Sequence, residues 1–171
     1  MSAIANTTVV SNFAGISQLN LLHRLYGTLY LPLEVYEEIQ VGLEEGYLFY
    51  ADIDQWIYPF AEDGWIRLVS MIDEQELRLF GTLLSRLHRG EAACLTIAKH
   101  RGWLLLTDDR AARHEATRLD VLFSGSVGCL VMAVENNLCP LEQANSWLSE
   151  MIQRGYWSPV TDLTVLLKQR P

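Results

Sequence analysis

Hydrophobic positions along the chain alternate between two rhythms. Short apolar runs are rich in β-branched and aromatic residues, and longer stretches carry apolar residues three or four apart. The first pattern predicts strands and the second helices. A first strand is predicted over 7–11 (Thr-Thr-Val-Val-Ser), ending at Asn12. Ile16, Leu19, Leu22 and Leu25 then follow a helix period that Gly27 stops. A second strand over 28–31 runs into Pro32, whose missing N–H costs nothing at a helix start, so a helix carrying Val35 and Ile39 follows. Residues 43–64 are dense in aromatics and read as one amphipathic helix and a loop. A third strand is predicted over 65–69 and a helix over 73–87, broken by Gly90; another helix spans 91–100 and ends at Gly102. The run 103–107 (Trp-Leu-Leu-Leu-Thr) has the continuous apolar character of a strand covered on both faces, and leads straight into Asp108-Asp109-Arg110. A helix over 111–119, a last strand over 121–123, and helices over 127–136, 141–153 and 159–168 complete the pattern.

Strands alternating with helices predict a mostly parallel sheet of about five strands with helices on both faces. The 171 residues fit one domain, 1–171, in which 137–171 is a C-terminal helical extension. That length buries a core without disulfides or structural metal. Half the residues are hydrophobic, which excludes a disordered chain. Cys94, Cys129 and Cys139 are odd in number and lack CxxC spacing, so they read as small buried hydrophobes in a reducing compartment. No stretch is apolar enough to span a membrane, and residues 1–6 lack the features of a signal peptide; a cytoplasmic location without membrane contact is expected. The formal net charge of −8 argues against a high-affinity nonspecific nucleic-acid binder. It leaves room for a nuclease, whose clustered carboxylates are neutralised by bound cations.

Ligands of open parallel sheets bind at the carboxyl ends of strands. Two predicted ends carry oxygen-bearing side chains: Asn12 after the first strand, and Asp108 with Asp109 after the fourth. Glu38 and Glu91, near the starts of two helices, add candidates. Hard oxygens from separate elements suit Mg²⁺ or Mn²⁺, which can polarise a phosphodiester and acidify a water without a nucleophilic side chain. The chain lacks a GxSxG elbow, a GxGxxG or GxxxxGK[ST] loop, and a DxD after the first strand. Each candidate also has a structural reading. Asn12 suits a turn or cap, Glu91 complements a helix dipole, Asp108-Asp109 suits a turn and N-cap, and Glu38 lies in an acidic stretch with Glu34, Glu37, Glu44 and Glu45. Arg110 and Arg113 follow the paired acids and suit RNA phosphates, or else form a solvated helix face.

Taken in order, Val9-Val10-Ser11-Asn12, Glu38 within Val35-Tyr36-Glu37-Glu38-Ile39, Gly90-Glu91-Ala92, and Leu106-Thr107-Asp108-Asp109-Arg110 resemble the PIN-domain family. The resemblance is to its small prokaryotic branch related to VapC-type toxins, and Gly125-Ser126-Val127-Gly128 after the last strand adds to it. It covers nearly the whole chain and implies a three-layer α/β/α Rossmann-like fold. It further implies metal-dependent RNA cleavage with Mg²⁺ or Mn²⁺, a homodimer, and a cognate antitoxin protein. The metal ligands it implies are Asn12, Glu38 (or Glu37 in the adjacent register), Glu91 and Asp109, with Asp108 beside them; the catalytic carboxylates are Glu38, Glu91, Asp109 and Asp108. Asn12 departs from the family's pattern, which places Asp there; an amide brings an oxygen without charge, so metal affinity falls. The alternative implied is a degenerate PIN fold that binds RNA or a protein.

Overall fold

The computed structural model describes residues 1–167. Its strands are β1 (Ala3–Ala5), β2 (Leu29–Pro32), β3 (Ile57–Tyr58), β4 (Ile66–Val69), β5 (Leu104–Leu106) and β6 (Phe123–Ser124). They form one six-stranded sheet in the order β3-β4-β2-β1-β5-β6, with every neighbouring pair parallel. The helices are α1 (Thr7–Gly15), α2 (Leu19–Tyr26), α3 (Leu33–Glu44), α4 (Glu74–Leu83), α5 (Arg89–Arg101), α6 (Arg110–Arg118), α7 (Ser126–Glu135), α8 (Leu141–Gln153) and α9 (Thr164–Leu167). Two helix groups flank the sheet: α5 packs with α3, α4 and α6, and α7 packs with α1, α2 and α8. Ile4, Leu29, Leu31, Ile66 and Leu106 are fully buried between them. Each such side chain contributes roughly 1.5–3 kcal/mol relative to exposure. Gly102 closes α5 in the left-handed conformation, φ 65°, where its N–H reaches Ala98 O; a side chain would strain that turn into β5. Among the described residues no helix is long and apolar enough to cross a membrane.

The first element corrects the sequence reading. Residues 7–11 form the start of α1, and the strand lies upstream at Ala3-Ile4-Ala5. Thr-Thr-Val-Val has the composition of a strand, but tertiary context overrides propensity. Asn6 accepts from Val9 N–H as an N-cap, and the helix turns Val9, Val10 and Phe13 into the core. The 43–64 region also differs. It contains two single-turn 3₁₀ segments (Leu48–Tyr50 and Ile53–Trp56) and β3, in place of one amphipathic helix and a loop. The helix expected over 73–87 stops at Leu83, and that over 159–168 shortens to Thr164–Leu167; Lys168 lies outside the described residues.

Candidate active site

The strand order makes β1 the pivot. The chain steps from β1 to β2, reaches β4 and β3 on that side, and returns to place β5 on β1's other flank. The crevice beyond the carboxyl ends of β1 and β5 is therefore the topological switch point of the sheet, where ligands of such folds bind. Asn6 follows β1 directly, and Thr107, Asp108 and Asp109 follow β5.

Asn6, rather than Asn12, thus stands at the end of the first strand. It is 1% exposed, and both ends of its amide are hydrogen-bonded. Its Oδ1 accepts from Thr8 Oγ1 (2.6 Å) and Val9 N (3.5 Å), and its Nδ2 donates to Thr107 Oγ1 (2.7 Å). Asn12 sits in the second half of α1, one helix turn beyond Thr8. Its Nδ2 donates to Asp108 Oδ2 and to Ser126 Oγ, each at 3.0 Å. Both positions carry an amide, so the departure from an acid at the strand end holds in either register.

Glu38, Glu91 and Asp109 come together around this crevice. Glu38 projects from α3, where its Oε1 accepts from Gly90 N (3.0 Å) and its Oε2 from the Thr7 hydroxyl. Gly90 is the residue before Glu91, and a Cβ there would stand 2.6 Å from Glu38 Oε1, so glycine at this position lets the carboxylate sit where it does. Glu91 lies in the first turn of α5 and accepts from His88 N (3.1 Å). Asp109 caps α6 through Ala112 N (2.7 Å), and its own N–H donates to Thr107 Oγ1 (3.1 Å). Thr107 so ties Asp109 to Asn6, the neighbour of the Thr7 that holds Glu38. Burial first, and then the charge of Asp109, push the Glu91 carboxyl above the usual range; His88 opposes, and Glu38 adds to the rise. Among the described residues no Arg or Lys closes an ion pair with any of these three acids.

Asp108 is different. Its Oδ1 accepts from Arg113 Nη2 (3.1 Å), Ser126 N (2.9 Å) and Tyr156 OH (3.1 Å). Its Oδ2 accepts from Asn12 Nδ2 and from Ser126 Oγ (2.5 Å). This carboxylate joins β5 to α1, α6, α7 and the segment after α8, and it is satisfied by protein donors. Arg113 is drawn inward with it, donating also to Thr107 O (2.9 Å). Arg110, at the first position of α6, is exposed and makes no ion pair or hydrogen bond among the described residues.

The donor chemistry suits a hard divalent cation, since every candidate atom is a carboxylate oxygen. One further oxygen is unclaimed. Glu34 Oε2, a helix turn before Glu38 on α3, is buried without a hydrogen-bond partner. Against this, no group of three acidic, His or Cys side chains among the described residues is gathered closely enough to hold an ion as the side chains stand. Each of Glu38, Glu91 and Asp109 is instead held by a backbone N–H.

A sequence comparison decides the family. The family model described as PIN domain matches residues 2–170. The chain belongs to the PIN-domain family. None of the curated proteins matches it significantly. The all-parallel sheet with its flanking helices agrees with a PIN fold, and PIN domains are typically nucleases that use divalent metal. The sequence reading missed Asn6, because a three-residue strand of Ala-Ile-Ala offers no alternation to detect. It also left Glu34 among the acidic residues around Glu38. The four-residue spacing from Glu38 was the available signal that both share a helix face.

Proposed function

We propose that this PIN domain is a divalent-metal-dependent endoribonuclease of low metal affinity, its ion held by Glu38, Glu91 and Asp109. The observation that carries this reading is their convergence at the switch point with no Arg or Lys ion-paired to them among the described residues. Structural acids are normally paired, and a group of unpaired ones with a raised carboxyl is the mark of a site that awaits a cation. Bound Mg²⁺ or Mn²⁺ would supply polarisation of the scissile phosphate and a more acidic water.

The chain's own residues do the rest. The Thr7 hydroxyl and Gly90 N–H orient Glu38, and the α6 cap orients Asp109. Asp108 braces the end of β5, so that Asp109 beside it is fixed in place. Glu91, whose carboxyl burial and then Asp109 push above the usual range, is the ligand whose ionised form a bound cation would favour most. Asn6 contributes no charge, and that lowers affinity for the ion. Arg110, exposed and without an ion pair among the described residues, is a cation available to an RNA phosphate.

A second reading, a PIN scaffold that binds RNA or a protein without cutting, draws support from Asn6, whose carbonyl oxygen is already spent on Thr8 and Val9. A toxin role, a protein antitoxin and a cytoplasmic site of action extend the first reading on the strength of the resemblance. Homodimerisation draws support from Leu48 and Phe60, 74% and 58% exposed in the aromatic 43–64 segment. The test of the leading reading is cleavage of end-labelled RNA with Mn²⁺ or with chelator. The reading expects Mn²⁺-dependent fragments from the wild type and none from Asp109→Asn. No fragments from either at millimolar Mn²⁺ would favour the scaffold, and equal fragments from both would overturn the role of Asp109.

A further inference from the structure

Beyond the carboxylates, on the far side of Asp108, lies a cavity of about 430 Å³ lined by Asp108, Arg110, Arg113, Tyr156 and Trp157. Its volume is within the range of pockets that take small ligands. Its two walls differ in character. One is the start of α6, where Arg110 follows Asp109 directly. The other is the segment after α8, whose Tyr156 is anchored by its hydroxyl to Asp108 Oδ1 at 3.1 Å. Trp157, next along, is 93% exposed, an unusual state for the largest apolar side chain. Nothing in the core needs Trp157, and its neighbour Tyr156 fixes the backbone that presents it.

The charges select the ligand. Arg113 is already spent on Asp108 and on Thr107 O, so those two side chains cancel. Arg110 is left as a free cation among the described residues, on a chain whose formal net charge is −8. A pocket with one uncompensated guanidinium and one bare indole face matches an anion joined to a flat ring. We propose that this pocket binds one nucleotide of single-stranded RNA, with the base stacked on Trp157 and its phosphate on Arg110. The inference rests on the reading of the protein as one that acts on RNA, and adds where on this chain the strand is gripped and by which side chains. A duplex keeps its base faces covered, so stacking on Trp157 requires an unpaired base. Because Arg110 adjoins Asp109, a strand held here leads its backbone to the carboxylate edge.

The test is anisotropy of a labelled single-stranded decanucleotide RNA, in chelator so that no cutting occurs, against the full chain. Variants are Trp157→Ala, Trp157→Phe and Arg110→Ala, with circular dichroism to verify the fold and light scattering to give the oligomeric state. Trp157→Ala is expected to weaken binding by roughly 5- to 150-fold, the usual worth of a base–aromatic stack, and Trp157→Phe to restore much of it. Arg110→Ala is expected to lower the salt slope of the affinity by about 0.7, one phosphate's share on a single strand. A duplex of the same sequence should bind more weakly than the single strand. Wild-type binding that neither variant changes would overturn the pocket and leave the RNA reading standing. No binding by the wild type would overturn both. A dimer that Trp157→Ala splits while RNA affinity is unchanged would show instead that the indole meets a second copy of the chain.

Discussion

Two groups of buried or half-buried acids in this molecule have opposite surroundings. Glu76, Glu115 and Asp108 are answered by protein donors. Glu76 accepts from Arg101 (2.9 Å) and from Ile72 N (2.7 Å), while Glu115 meets Arg86 (2.9 Å) and Arg118 (2.7 Å). Burial works against ionisation of Glu76, but the Arg101 and backbone hydrogen bonds outweigh it and hold the carboxyl below the usual range. The Arg86 hydrogen bond does the same for Glu115. At the switch point the sign reverses, because burial and then Asp109 push Glu91 up. The first group holds the fold together. In the second, Glu91 carries a burial and like-charge cost that an added cation would relieve, and that contrast is the physical content of the functional reading.

The contrast breaks most visibly on removal of an answered acid. Asp108→Ala strips the acceptor from Ser126, Tyr156, Asn12 and Arg113 at once. It is expected to cost about 3–5 kcal/mol in urea unfolding, the worth of a buried charge network broken on one side. Glu76→Ala should cost about 2–4 kcal/mol, since the Arg101 side chain it abandons is only 21% exposed. Glu91→Gln, in contrast, should leave stability at neutral pH within about 1 kcal/mol of wild type or above it, because it removes repulsion rather than attraction. A loss like that of Glu76→Ala would place Glu91 among the structural acids.

The same contrast sets a pH signature. Glu91 binds its proton more tightly folded than unfolded, so its contribution is full below the ordinary carboxylate range and fades as pH rises through the raised folded value. Glu76 and Glu115 run the other way, with contributions present above the ordinary range and lost as pH falls through their lowered values. Unfolding curves of Glu91→Gln should therefore lack the decline in stability expected of the wild type as pH rises above the ordinary carboxylate range. The smallest expected change is Gly90→Ala. Its Cβ would displace the Glu38 carboxylate while helix propensity offsets the strain to within about 1 kcal/mol. Calorimetry should find weakened Mn²⁺ binding on a fold of near wild-type stability.

Much of this was legible before the fold was seen. Leu104-Leu105-Leu106 announced a buried strand, and Gly102 and Asp109 announced the helix end and helix start around it. Gly90-Glu91 likewise marked the start of α5. The opening of the chain was not legible, because Thr7-Thr8-Val9-Val10 is β-prone in isolation and only the buried cap at Asn6 and the core contacts of Val9, Val10 and Phe13 make it helical. That one shift moved the strand-end residue from Asn12 to Asn6. The roles of Asp108 and Asp109 were equally beyond the sequence. Adjacent and chemically identical, they diverge because one turns in to Ser126 and Tyr156 and the other turns toward Glu91.

The most direct measurement is Mn²⁺ titration by calorimetry on three proteins: wild type, Asp109→Asn and Asn6→Asp. Asparagine caps a helix as well as aspartate, so Asp109→Asn keeps α6 while removing one charge. The carboxylate reading predicts weak binding by wild type, its loss in Asp109→Asn and its strengthening in Asn6→Asp, since ligand charge tunes the affinity of such sites. Heat of binding that is the same in all three, or absent from all three, would contradict it.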